Sequence, residues 1–209
     1  MKRLHFALTT TALLLMAFSL YAQEETVEDE AGNAYTTVKI GEQVWMGTNL
    51  NSESAACEGA HEISFANGSS RSIGATLQDG KPNFAYYQNR PELEFGAMYD
   101  QSAVLQCELC PTGYRIPTKA EWEALAEHLG GVEKAGTALK KGGSSGFNAE
   151  MMGRIGQKGS VLEGKATSWW ALSDDGSKAY TVELSADGKL TLYEEGNEKW
   201  ANYVRCVKE

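Results

Sequence analysis

The hydrophobic pattern changes character several times along the chain. Behind the basic start Met1-Lys2-Arg3, Phe6 to Leu20 is a mostly apolar run that ends at Leu20-Tyr21-Ala22-Gln23. That layout is a secretory signal peptide over residues 1–22. A spanning helix would need about 20 apolar residues, more than this run supplies. Cleavage is expected near Ala22, and the acidic stretch over residues 23–33, with Glu24, Glu25, Glu28, Asp29 and Glu30, reads as a short solvated leader. Strand-like alternation begins at Tyr35-Thr36-Thr37-Val38-Lys39-Ile40, breaks at Gly41-Glu42 and resumes at Gln43-Val44-Trp45-Met46, which predicts a β-hairpin. From about 51 to 83 the pattern dissolves into small and polar residues, which predicts an irregular insertion. Phe84 to Tyr87 and Phe95 to Tyr99 read as short buried segments.

The period becomes helical at Thr118. Thr118 and Glu121 make a capping box, Pro117 limits extension backwards, and Trp122, Leu125, Ala126 and Leu129 form one apolar stripe. Gly130-Gly131 supplies the stop, so the spacing predicts one clear helix over about 118–129. Glycine-punctuated strands follow at 147–155, 169–172, 179–184 and 189–193, the last two flanking the turn Asp187-Gly188, and 203–207 closes the series. No repeat of solenoid length is present. Few helices and many short strands give an α+β class in a single domain over residues 34–209.

Composition sharpens this picture. The chain has 209 residues, a formal net charge of −9 and 22 glycines. The acidic balance excludes a nucleic-acid binder, which needs a clustered basic footprint, and opposes docking on an anionic membrane. Removing the signal peptide costs only Lys2 and Arg3 among the charges, so the remainder is more acidic still. Export also changes the meaning of Cys57, Cys107, Cys110 and Cys206. An even count in an oxidising compartment predicts two disulfides, with three pairings open. The spacing Cys107-Glu108-Leu109-Cys110 also occurs in zinc and redox sites, but no second close pair and no βαβ context accompany it.

Other candidate chemistry is sparse. Residues 159–166 nearly spell a phosphate-binding loop, but Ala166 stands where a hydroxyl is required. His61 lies between Glu58 and Glu62 in the insertion, and His128 lies near the end of the predicted helix, where the macrodipole favours a cation. Asp174 and Asp175 are weak calcium candidates, and an ordinary turn at Asp174-Asp175-Gly176 is the preferred reading. No cofactor is expected. Asn67-Gly68-Ser69 matches the N-glycosylation sequon. Trp169 and Trp170 are adjacent in a predicted strand and therefore face opposite sides. Only one can fill a single-sided core, and the other is either covered by a loop or offers its face to a ligand. Both are therefore ligand-binding candidates.

Four segments carry a resemblance. Tyr35 to Leu50, Cys110-Pro111-Thr112-Gly113-Tyr114-Arg115-Ile116-Pro117-Thr118-Lys119-Ala120-Glu121-Trp122, Trp169-Trp170-Ala171-Leu172-Ser173 and Val204-Arg205-Cys206-Val207-Lys208 resemble, in order, blocks of the Fibrobacter succinogenes major paralogous domain family, and Gly146-Phe147-Asn148-Ala149 adds a weaker one. The resemblance spans about residues 34–208. It implies an exported or surface protein of Bacteroidetes-type bacteria. It also implies a fold similar to C-type-lectin-like domains and to the formylglycine-generating enzyme group, with no settled activity. It pairs Cys110 with Cys206, which leaves Cys57 with Cys107. The insertion departs from the pattern, and the calcium-sugar signatures Glu-Pro-Asn and Trp-Asn-Asp are missing.

These readings converge on an exported, non-catalytic binding module, secreted or held at the cell surface or in the periplasm. Its ligand would be an extracellular glycan or protein, met near Trp169 and Trp170 and the insertion. The alternatives are an assembly subunit of the cell surface and an enzyme similar to the formylglycine-generating group. The second alternative would need a reactive thiol or a metal.

Overall fold

The computed structural model describes residues 25–52, 61–62, 80–87, 95–156 and 159–209. The expected signal peptide, Cys57 and Asn67 lie outside the described residues. Among those described, the strands in chain order are β1 (Thr26–Glu28), β2 (Ala34–Ile40), β3 (Gln43–Met46), β4 (His61–Glu62), β5 (Asn83–Tyr86), β6 (Ala97–Asp100) and β7 (Tyr114–Arg115). They continue with β8 (Arg154–Gly156), β9 (Gly159–Val161), β10 (Ala166–Leu172), β11 (Ala179–Ser185), β12 (Leu190–Leu192), β13 (Ala201–Tyr203) and β14 (Val207–Lys208). Among the described residues three helices, α1 (Gln101–Gln106), α2 (Lys119–His128) and α3 (Val132–Leu139), stand where one was expected. The class is α+β, mostly sheet with a few short helices.

The predicted hairpin is β2–β3, with Ile40 opposite Gln43 and Gly41 at φ 63°, a turn geometry glycine adopts without strain. The acidic stretch before it is not simply a solvated leader. Thr26, Val27 and Glu28 pair with Thr36, Tyr35 and Ala34. Asp29 builds the connecting turn: its carboxylate accepts from the Ala31 and Asn33 amides, from Asn33 Nδ2 and from the Tyr35 hydroxyl. An acidic composition concealed a hairpin because its one critical carboxylate is consumed internally.

Helix α2 follows its sequence signals closely. Thr118 Oγ1 accepts from the Glu121 amide, and the Glu121 side chain accepts from the Thr118 amide. At the other end, the Gly131 amide reaches Ala126 O and the Gly130 amide reaches Glu127 O, with both glycines at positive φ, which is a Schellman closure. The two unexpected helices are short. Asp100 caps α1 by accepting from the Ala103 amide. Helix α3 carries Gly136, where a Cβ would lie 2.0 Å from Gly188 O in the β11–β12 turn. That glycine exists for close packing and weakens the helical signal in the sequence.

Two sheets result. The smaller runs β1-β2-β3-β14-β7, and the larger runs β12-β11-β10-β13-β6-β5-β4, with β8 and β9 attached beside β13. Pairing is mainly antiparallel, but β10–β13 and β4–β5 are parallel. The expected strand over 147–155 is only β8, since Asn148 at φ 53° and Gly146 at φ 74° bend the preceding segment. The expected closing strand is split between β13 and β14, and Val204-Arg205-Cys206 carries the chain from one sheet to the other.

Both faces of β10 are covered. Trp169 packs with Trp45, Trp122 and Phe147 and with the apolar faces of α2 and α3. Trp170 packs on the other side with Tyr35, Met46, Leu50 and Tyr99. Both tryptophans are 0% exposed. The expectation that one of them offers a face to a ligand is therefore corrected: the sheet has a core on each side.

Candidate functional site

The centre of the molecule is polar as well as aromatic. Asn49 Oδ1 accepts from Trp169 Nε1 at 2.9 Å and from the Arg205 guanidinium at 2.8 Å, while Asn49 Nδ2 donates to Phe95 O. Arg205 also donates to Gly47 O and Phe147 O and lies over the Phe147 ring. It is 2% exposed, with no carboxylate at ion-pair distance among the described residues. Burial pulls its guanidinium down to about 9. This node joins β3's end, β10 and the 204–206 crossover. Its saturation with hydrogen bonds makes it structural, because an unmet buried cation would be far costlier.

The described concave site lies elsewhere, in a cleft of 850 Å³. One wall is formed from the segment Cys110 to Glu121, one of the specific blocks quoted from the sequence. Three devices hold it. The Cys110–Cys206 disulfide ties it to the crossover. Arg115 grips Glu121 with two parallel bonds of 2.7 and 2.8 Å, while Glu121 is itself held by the α2 cap. The Leu172 amide donates to Pro117 O, which ties the wall to β10. Gly113, at φ 79°, forms the outward turn within the wall and accepts from the Glu209 amide. The hydrogen bonds that Arg115 donates to Glu121 raise its guanidinium above its usual range, so this cation is committed to the wall.

The lining has an apolar part, with Val104, Leu109, Ile116 and Leu172 and the half-buried Tyr114. Its polar part includes Asp29, Glu30, Ser52, Ser173 and Asp174, together with the exposed Glu108 and Glu209. Ser52 is only 4% exposed, and its carbonyl is taken by the Tyr99 hydroxyl. Its own hydroxyl has no hydrogen-bond partner among the described residues. No histidine or lysine is among the described residues lining the cleft.

The structure gathers only some of the residues proposed from sequence. Cys107, Cys110 and Asp174 line the cleft, and both cysteines are disulfide-bonded. The assignment of Cys57 as the partner of Cys107 falls outside the described residues. Asp175 is separated from Asp174 by its role in the turn: it accepts from Ser173 Oγ, Ser177 Oγ and the Ser177 amide, which pushes its carboxyl down to about 2. Among the described residues no group of three or more histidine, cysteine or acidic side chains could hold a metal. His128 lies against Gly41, away from the cleft. Sequence reasoning missed Tyr114, Ser52 and Asn49. Tyr114 and Asn49 sat inside quoted blocks, whereas nothing in the local pattern marked Ser52.

Residues 38–208 match the family model described as the Fibrobacter succinogenes major domain. No curated protein and no solved structure matches the chain.

Proposed function

The chain belongs to the Fibrobacter succinogenes major domain family, and on that premise we propose that it is an exported, non-catalytic binding module. Its ligand is an extracellular glycan or protein, and the cleft is where it is met. The observation that carries this reading is the wall from Cys110 to Glu121. One of the blocks that carry the family resemblance lines a ligand-sized concavity, and it is fixed by a disulfide, a bidentate ion pair and a helix cap. Preformed sites of this kind bind without a large ordering cost. Among the described residues the lining offers carboxylates and hydroxyls but no nucleophile paired with a base, which favours recognition over turnover. The Cys110–Cys206 disulfide supports an oxidising compartment, in keeping with the apolar leader at the start of the chain. Short, mainly antiparallel strands linked by long loops support the C-type-lectin-like reading of the fold.

Glycan arrays and pull-downs against envelope material test the proposal on folded protein. Retention of a defined glycan or protein, lost when the cleft wall is altered, is the expected result, and silence in both would sink it. Thiol titration of the unfolded, unreduced chain separates the enzyme reading. A free thiol would revive a formylglycine-generating type of chemistry, whereas none is expected.

A further inference from the structure

We propose that the cleft takes a cationic side chain, lysine or arginine, presented by an extended segment of a partner protein. This rests on the reading of the cleft as the ligand site and narrows its ligand to one chemical class. The concavity defines the site, and its lining sets what fits. Charge is the first determinant. The sole cation in the described lining, Arg115, is already spent on Glu121. Asp29 is spent on Asn33 and Tyr35. Glu30, Glu108 and Asp174 make no ion pair among the described residues, and Glu209 adds a further carboxylate facing Arg115. The described lining therefore carries a net negative charge, which favours a cationic ligand.

The second determinant is the apolar part of the lining. Leu109, Ile116, Leu172 and the ring of Tyr114 share the cleft with the carboxylates. A lysine or arginine has this same division, an aliphatic stem ending in a charge. A neutral sugar would leave the carboxylates uncompensated, and an acidic one would be repelled.

The third observation is independent of charge. Ser52 is 4% exposed and lines the cleft, and its hydroxyl has no hydrogen-bond partner among the described residues. A donor arriving in the cleft completes it, since Ser52 can accept from an ammonium or guanidinium N–H.

The test follows amide signals of the isotope-labelled protein, as isolated, during titration with acetyl-(Ala-Lys)3-amide. The same backbone with glutamate or norleucine in place of lysine is the control, and chitotriose is the neutral glycan probe. The lysine peptide is expected to move the amides of Ser52, Gly113, Arg115, Asp174 and Gly176, while both control peptides leave them in place. Raising salt should weaken the lysine complex, because exposed charges are screened. The combined variant Glu30→Gln, Glu108→Gln, Asp174→Asn should bind at least about tenfold more weakly. If that variant does not fold, the salt series on the parent protein decides. Equal binding of the norleucine peptide, shifts away from the cleft, or no binding of the lysine peptide overturns the proposal. Chitotriose moving these same amides while the lysine peptide is silent overturns the cationic class and leaves the cleft as a binding site. Silence of every probe, arrays and envelope pull-downs included, removes both.

Discussion

At the scale of single residues, Asn49 does the most with the least. One carboxamide satisfies the Trp169 indole and the Arg205 guanidinium and reaches Phe95 O. Replacing it with alanine strands a buried cation and a buried indole N–H together. Asn49→Ala is expected to cost about 3 kcal/mol or more, read by denaturant unfolding, since orphaned buried groups each cost about 1–3 kcal/mol. A loss under about 1 kcal/mol would show that water replaces the side chain. Asp175 works differently. Its folded carboxyl sits at about 2, below the ordinary 3.8, because Ser173 and Ser177 donate to it. The turn therefore gains from this charge above the ordinary value and loses that gain as pH falls through the folded one. Site-resolved carboxyl titration should give a midpoint near 2, and Asp175→Asn should flatten the acid limb of the melting profile between those two values. A midpoint at the ordinary position would mean the turn is open in solution.

At the scale of elements, legibility followed locality. Helix α2 was readable because its cap, stripe and stop all fall within a dozen or so residues and all agree. The β2–β3 hairpin was readable for the same reason. Helix α3 was not, because Gly136 answers to Gly188, far away in sequence. Strand β1 was hidden because the carboxylate that organises its turn looks, in a sequence, like any solvated acid. The tryptophan pair misled for a related reason: alternation along a strand says that two side chains diverge, not whether each side is covered. The cleft was legible only in its Cys110–Glu121 wall. Ser52 and Asp174 meet that wall through the fold, and no spacing announces it. Gly136→Ala separates the local from the long-range reading. Propensity alone makes it stabilising by about 1 kcal/mol, whereas contact with the Gly188 carbonyl makes it destabilising. We expect a lowered melting temperature, and a raised one would show that α3 shifts freely.

At the scale of the whole molecule, the 204–206 crossover holds the two sheets to one another. Val204 and Cys206 belong to one core cluster, while Tyr203 and Val207 belong to the other. The Cys110–Cys206 bond, across a sequence separation of 96, closes this arrangement against the cleft wall. Removing it with Cys110→Ser and Cys206→Ser together should cost about 2–4 kcal/mol and loosen the wall. Hydrogen exchange at Gly113, Tyr114 and Arg115 should rise more than at β10, and a uniform rise would place the effect in the unfolded chain instead.

The position of β14 has a kinetic consequence. It lies between β3 and β7, pairing Val207 with both Trp45 and Arg115. The smaller sheet cannot close until residue 207 is available to it, however early its hairpin forms. A nascent chain still short of that residue lacks the staple between its layers. Such a topology of distant partners folds slowly.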